Sequence, residues 1–133
     1  MSTEFINPPA AFDSLSRGYS HVVKTTNPQA LYFVSGAAAV DSDLKLRHPG
    51  DVEGQTRLIF QNIARDLEAS GASLADVVDM TIYVADVRDQ WRVRGVRNEF
   101  FPQDRLPSST MIGVSGFCIE GMLIEIDVIA ATS

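Results

Sequence analysis

Between Val77 and Val84 the chain alternates without interruption, Val78, Met80, Ile82 and Val84 interleaving with Asp79, Thr81 and Tyr83. A period of two fits a strand with one apolar face and one polar or interface face. That segment commits the chain to a sheet, and its neighbours must cover the apolar side. Upstream, Val52, Ile59, Ile63 and Leu67 recur at helical spacing, with Thr56 filling the missing step and Phe60 and Ala64 widening the stripe. Asp51 stands where an N-cap or first-turn acid belongs and Gly71 where a closing glycine belongs, so a helix is predicted over 51–70. Downstream, 88–101 reads as a second helix with Val93, Val96 and Phe100 on its core arc. Trp91, Arg94, Gly95 and Asn98 fall opposite, and a tryptophan placed there points to an interface or groove. Pro102 ends this helix, and Pro107 forces an extended entry into a strand over 109–114. A last strand over 122–130 puts Ile124, Ile126 and Val128 on one face and Leu123, Glu125, Asp127 and Ile129 on the other.

The N-terminal third is read as three strands. Residues 3–7 form a short one stopped by Pro8 and Pro9, and 10–17 form a loop with Asp13 and Ser14 as turn formers. Strands over 19–25 and 30–35 flank Thr26, Asn27 and Pro28. Because Leu31 and Phe33 share one face while Tyr32 and Val34 share the other, the 30–35 strand is expected to be central. The order β-β-β-α-β-α-β-β describes an α+β or α/β domain with two helices on one face of a mixed sheet. One domain over residues 1–133 is expected, since 45% hydrophobic and 21% charged residues suit a single packed core.

Charge and cysteine content narrow the function. A net charge of −6 makes a phosphate backbone an unfavourable partner, so nucleic-acid binding is not expected. Cys118 is the only cysteine and can form no internal bridge, and residues 1–8 carry no export signal; a reducing, cytoplasmic location is expected. The apolar stretch 121–131 is interrupted by Glu125 and Asp127 and is shorter than the ~20 residues of a membrane helix. His21 and His48 lie in no ligand spacing with Cys118, so neither a metal nor another cofactor is expected. No nucleophile elbow surrounds a serine, and no phosphate-binding glycine pattern occurs.

Two groups of residues carry possible chemistry. Arg88, Arg92, Arg94 and Arg97 crowd the second helix, and a guanidinium fork holds a carboxylate bidentately. Asp86, Asp89 and Glu99 lie close enough to pair with them, which makes most of the group a salt-bridged surface; Arg94, on the Trp91 face, is the exception. Glu125 and Asp127 share one face of a largely apolar strand, and a carboxylate drawn towards low dielectric is suited to acid–base work. The same placement also suits an interface residue.

Gly18, Tyr19 and Ser20, the triplet Val34, Ser35 and Gly36, and the runs 51–57, 71–78 and 124–130 occur in an order and at separations that resemble the YjgF/RidA family of reactive-intermediate deaminases, also called the endoribonuclease L-PSP family. The resemblance covers nearly the whole chain. It implies an α+β subunit of chorismate-mutase type, with a six-stranded mixed sheet and two helices on one face, assembled as a homotrimeric barrel with clefts between subunits. The implied partner is a small-molecule metabolite, an enamine or imine such as 2-aminoacrylate, hydrolysed to a 2-oxo acid and ammonia. On this basis Glu125 positions the attacking water, the Gly36 backbone meets the ligand, and Tyr19 walls the cleft, with Ser20 and Ser35 also at site positions. Four positions depart from the family pattern: Ser109 stands in place of a carboxylate-binding arginine, Met111 of a cysteine, Ala37 of a glutamine and Arg94 of an asparagine. Poor turnover of 2-aminoacrylate is therefore expected, with Arg94 or Arg105 as a substitute anion anchor. A non-catalytic ligand-binding trimer stays open beside the hydrolase, and a ribonuclease is the least expected reading.

Overall fold

A computed structural model describes residues 1–133. Its strands are β1 (Ser2–Ile6), β2 (Val22–Thr26), β3 (Ala30–Ala37), β4 (Val77–Val84), β5 (Ser108–Gly113) and β6 (Ile124–Thr132), and its long helices are α1 (Val52–Ser70) and α2 (Gln90–Phe100). The α+β architecture is the one expected, with two helices and a mixed sheet. The strands nevertheless divide between two sheets: β1 and β2 form an antiparallel ribbon, and a four-stranded sheet runs β3-β6-β4-β5. Only β4 and β5 are parallel.

Sequence chemistry accounts for the element ends. Asp51 caps α1 by accepting from the Gly54 N–H at 3.0 Å. Gly71 closes that helix at φ 95°, where the Gly71 and Ala72 N–H groups donate to the Glu68 and Leu67 carbonyls at 3.2 and 2.8 Å. This paired closure favours glycine because the left-handed conformation penalises a Cβ. The second helix begins later than its pattern implies. Asp86 draws the Arg88 N–H at 2.9 Å and makes Val87–Asp89 a separate tight turn before α2.

The core lies between the helices and the four-stranded sheet. Ile59, Phe60, Ile63 and Leu67 of α1 and Val93 and Val96 of α2 meet Met80, Ile82 and Val84 of β4 and Ile124, Ile126 and Val128 of β6. Gln55, also buried, holds two loops to α1, donating to the His48 and Gly121 carbonyls and accepting from the Leu123 N–H. No helix is long and apolar enough to cross a membrane.

Two local expectations are corrected. The strand starting at Ala30 is an edge strand, not a central one; Leu31 and Phe33 are 53% and 72% exposed. Its two apolar faces reflect one side packed on the core and the other bare. The even alternation predicted for β4 is interrupted by a register shift between Val77 and Asp79, which buries Val77 in place of Val78.

Candidate functional site

The residues singled out in the sequence gather on opposite sides of the four-stranded sheet. On the helix side, β5 is an edge strand whose residues are half-buried or exposed. Ser109 and Met111 are in register with the core residues Met80 and Ile82, so their side chains lie on the helix side. With Tyr19, Arg17, Arg94 and Arg97 they line an open cleft. The strand expected over 19–25 begins only at Val22, so Tyr19 and Ser20 lie outside it and follow the turn Leu15–Arg17. Ser20 is fixed through its N–H to the Pro107 carbonyl at 3.1 Å, and its hydroxyl is buried without a partner.

Arg97 is the residue that sequence reasoning missed. The helix pattern predicts a solvated, salt-bridged surface there, but Arg97 is 4% exposed. Its Nη1 donates to Ser109 Oγ at 3.2 Å and its Nη2 to the Arg17 carbonyl at 2.7 Å, while its Nε is buried without an acceptor. Burial first, then the charge of Arg94, pulls the Arg97 pKa down to about 10, so it remains a cation at neutral pH. The acids expected to neutralise this helix bond elsewhere. Glu99 pairs with Arg57 of α1 at 2.7 Å, and Asp86 and Asp89 pair with Arg88 and Arg92 at 2.7 and 3.9 Å. Spacing held the missed signal: Arg97 follows Val93 by one i,i+4 step, only about 40° from it around the helix and so beside the buried arc.

Arg94 lies over the Trp91 ring, 3.9 Å from its centroid, as its shared helix face implied. Arg105, the other proposed substitute, lies over Phe5 instead, 5.1 Å from that ring centroid, and does not line the cleft. Gly18, at φ 89°, lets the loop approach α2. A Cβ there would come within 2.6 Å of Arg97 Nη2 and 3.4 Å of Arg94 Cγ.

The acidic half occupies the face away from the helices. Glu125 projects opposite the buried Ile124 and Ile126, over Gly36, where a Cβ would come within 2.6 Å of Glu125 Oε1. This approach coincides with a register shift between Val34 and Ala37, the stretch that holds Ser35 and Gly36. Ser35 and Gly36 are exposed and Ala37 is buried. Burial first, then the Asp127 charge, pushes the Glu125 pKa up from its ordinary value. Asp127 accepts from Tyr83 Oη at 3.1 Å, which in turn raises the Tyr83 pKa. Glu125 does not line the arginine cleft, so within one chain the acid and the cations have no common space. No cluster of His, Cys, Asp and Glu arranged to hold a metal occurs.

Comparison with known proteins places this geometry among relatives. The family described as Endoribonuclease L-PSP matches residues 10–132. A RutC family protein of Pyrococcus abyssi is 34% identical over 112 residues, 84% of each chain. The crystal structure of YyfB, a Rid-family protein of Yersinia pestis, superposes with a TM-score of 0.91 at 26% identity, covering 98% of this chain and 99% of that one. A Mycobacterium tuberculosis member of the YjgF/YER057c/UK114 family is 30% identical with a TM-score of 0.66, covering 98% of this chain and 100% of that one.

Proposed function

We propose, for a chain that belongs to the endoribonuclease L-PSP (YjgF/Rid) family, that it hydrolyses small imine or enamine metabolites in clefts between the subunits of a homotrimer. The observation that carries this reading is Glu125, a carboxylate raised in pKa and held over a glycine that leaves room for little else. An acid with these properties accepts a proton from water near neutral pH more readily than a solvated carboxylate does. As water attacks the imine carbon, Glu125 takes its proton and passes it to the imine nitrogen; in the resulting carbinolamine Glu125 moves the hydroxyl proton to the same nitrogen, which leaves as ammonia while a carbonyl forms. An enamine first tautomerises to the imine. No metal or redox group is required for this sequence.

The assembly is supported by incompleteness. One sheet face carries the acid and the bare Phe33 and Leu31, and the other carries the cationic cleft. Closed cyclic packing sets one subunit's open face beside a neighbour. We place Tyr19, Ser20, Arg94, Ser109 and Met111 on one side of the composite site and Ser35, Gly36, Ala37 and Glu125 on the other. The side chain anchoring an anion at Ser109 is Arg97, arriving from α2.

The test is ammonia release from imines generated in situ by an amino-acid oxidase. Glu125→Gln should lower the rate by ~10²–10⁴-fold while leaving ligand binding in place. A Gln variant as fast as the parent ends the hydrolase reading and leaves a ligand-binding trimer. With 2-aminoacrylate as substrate the parent should be slow.

A further inference from the structure

The cleft carries more positive charge than one carboxylate can use. Arg17, Arg94 and Arg97 all line it, and none is in an ion pair. In the same acidic chain Arg47, Arg57, Arg65, Arg88 and Arg92 are each paired with an acid. Gathering unpaired cations is unfavourable without a counter-charge, and Arg94 already weakens the hold of Arg97 on its proton. Arg97 itself is buried with one guanidinium N–H, at Nε, left without an acceptor, so its charge is only partly compensated by the neutral Ser109 hydroxyl and Arg17 carbonyl.

We infer that the cleft binds a small dicarboxylate, one carboxylate at the buried end against Arg97 and Ser109 and the other at the mouth against Arg94 and Arg17. The two ends are distinct. Arg97 is tied down by Ser109 and the Arg17 carbonyl, whereas Arg94 lies over Trp91, an exposed residue. The Arg94 guanidinium, with no acceptor of its own, offers a parallel pair of N–H donors that matches a carboxylate edge, whereas Arg97 has only the second N–H of each Nη left beside its bonds to Ser109 and the Arg17 carbonyl. A phosphate would bring both charges to one end and leave the other arginine unmatched. The inference rests on the cleft being the substrate-binding half of the proposed site, and it specifies the substrate as a 2-imino dicarboxylic acid, released as a 2-oxo dicarboxylic acid.

Calorimetric titration of the intact protein with 2-oxoglutarate, 2-oxobutyrate and inorganic phosphate tests it directly. The second carboxylate should tighten binding by about 10- to 100-fold over 2-oxobutyrate, the worth of one hydrogen-bonded charge. Arg94→Gln, at a half-exposed position that does not threaten the fold, should remove most of that preference while changing 2-oxobutyrate affinity little. Arg97→Gln should weaken both acids. Equal affinity for the two acids, phosphate binding as tight as 2-oxoglutarate, no binding of any probe, or a preference that survives Arg94→Gln each overturns the inference. Its failure is separable from failure of the hydrolase reading: Glu125→Gln should retain the dicarboxylate preference, and a parent protein that prefers dicarboxylates yet hydrolyses no imine would remove the activity and keep the ligand class.

Discussion

The two faces of the four-stranded sheet are built from the same alternating strands yet meet different surroundings. On β6, Ile124, Ile126 and Val128 are sealed beneath the helices, while Glu125, Asp127 and Ile129 on the other side remain half-buried. The helix side ends in a cleft of arginines and the open side in a patch of acids beside bare Phe33. Alternation determines which side a residue takes; the neighbouring elements determine whether that side is closed. A face that is apolar, charged and uncovered is therefore the place to look for whatever the single chain lacks.

The largest effect should come from charging the open face. Phe33 is 72% exposed, and burying such a ring contributes roughly 1.5–3 kcal/mol per copy. In a homotrimer Phe33→Asp should replace that gain with a buried charge and reduce the light-scattering mass at micromolar concentration to that of a 14.5 kDa chain. The folded monomer should persist, because Phe33 contributes nothing to the core beneath the helices. A variant that stays trimeric, or a parent protein that is already monomeric, removes the open face as the interface.

A smaller effect, confined to the acidic half, is expected from Gly36→Ala. The added methyl would press on Glu125 at 2.6 Å from Oε1 and 2.7 Å from its carboxyl carbon, so the side chain must shift. Geometric displacement of a catalytic group by about 1 Å costs up to ~10²-fold in rate. The melting temperature should hardly change, since Gly36 is exposed and at an irregular edge. Full activity in this variant would show that the placement of Glu125 over Gly36 has no catalytic role.

How much of this was legible in the sequence depended on whether a residue's environment is local. The α1 cap and closure were readable because Asp51 and Gly71 act within one turn of chain. The edge position of β3 was not, because two apolar faces look alike whether the second is covered by the same chain or left bare. Arg97 was missed for a related reason. Asp86, Asp89 and Glu99 are near enough in sequence to neutralise the arginines of α2 as a group, but Arg57, 42 positions away along the chain, takes Glu99. The position of Glu125 was readable from alternation, whereas its contact with Gly36 depends on a bulge that no period reveals.

The smallest effect separates the two causes acting on Glu125. Burial is the larger and the charge of Asp127 the lesser, and both raise its pKa. Asp127→Asn keeps the shape and an oxygen able to accept from Tyr83, but removes the charge. If Glu125 is the base, it must lose its proton before water can be activated, so the rate rises with pH through the Glu125 pKa. Removing Asp127's charge lowers that pKa, and the acid limb of the rate profile should move to lower pH. The shift should be partial, because burial remains. Stability follows the same sign: a carboxyl whose pKa rises on folding favours the folded state below its unfolded pKa, and this contribution is lost as pH rises through the folded value. The Asn variant should therefore lose less stability between acid and neutral pH than the parent. An acid limb that stays in place, or moves to higher pH, would mean that another group sets the profile and would break the link between the acidic face and the chemistry.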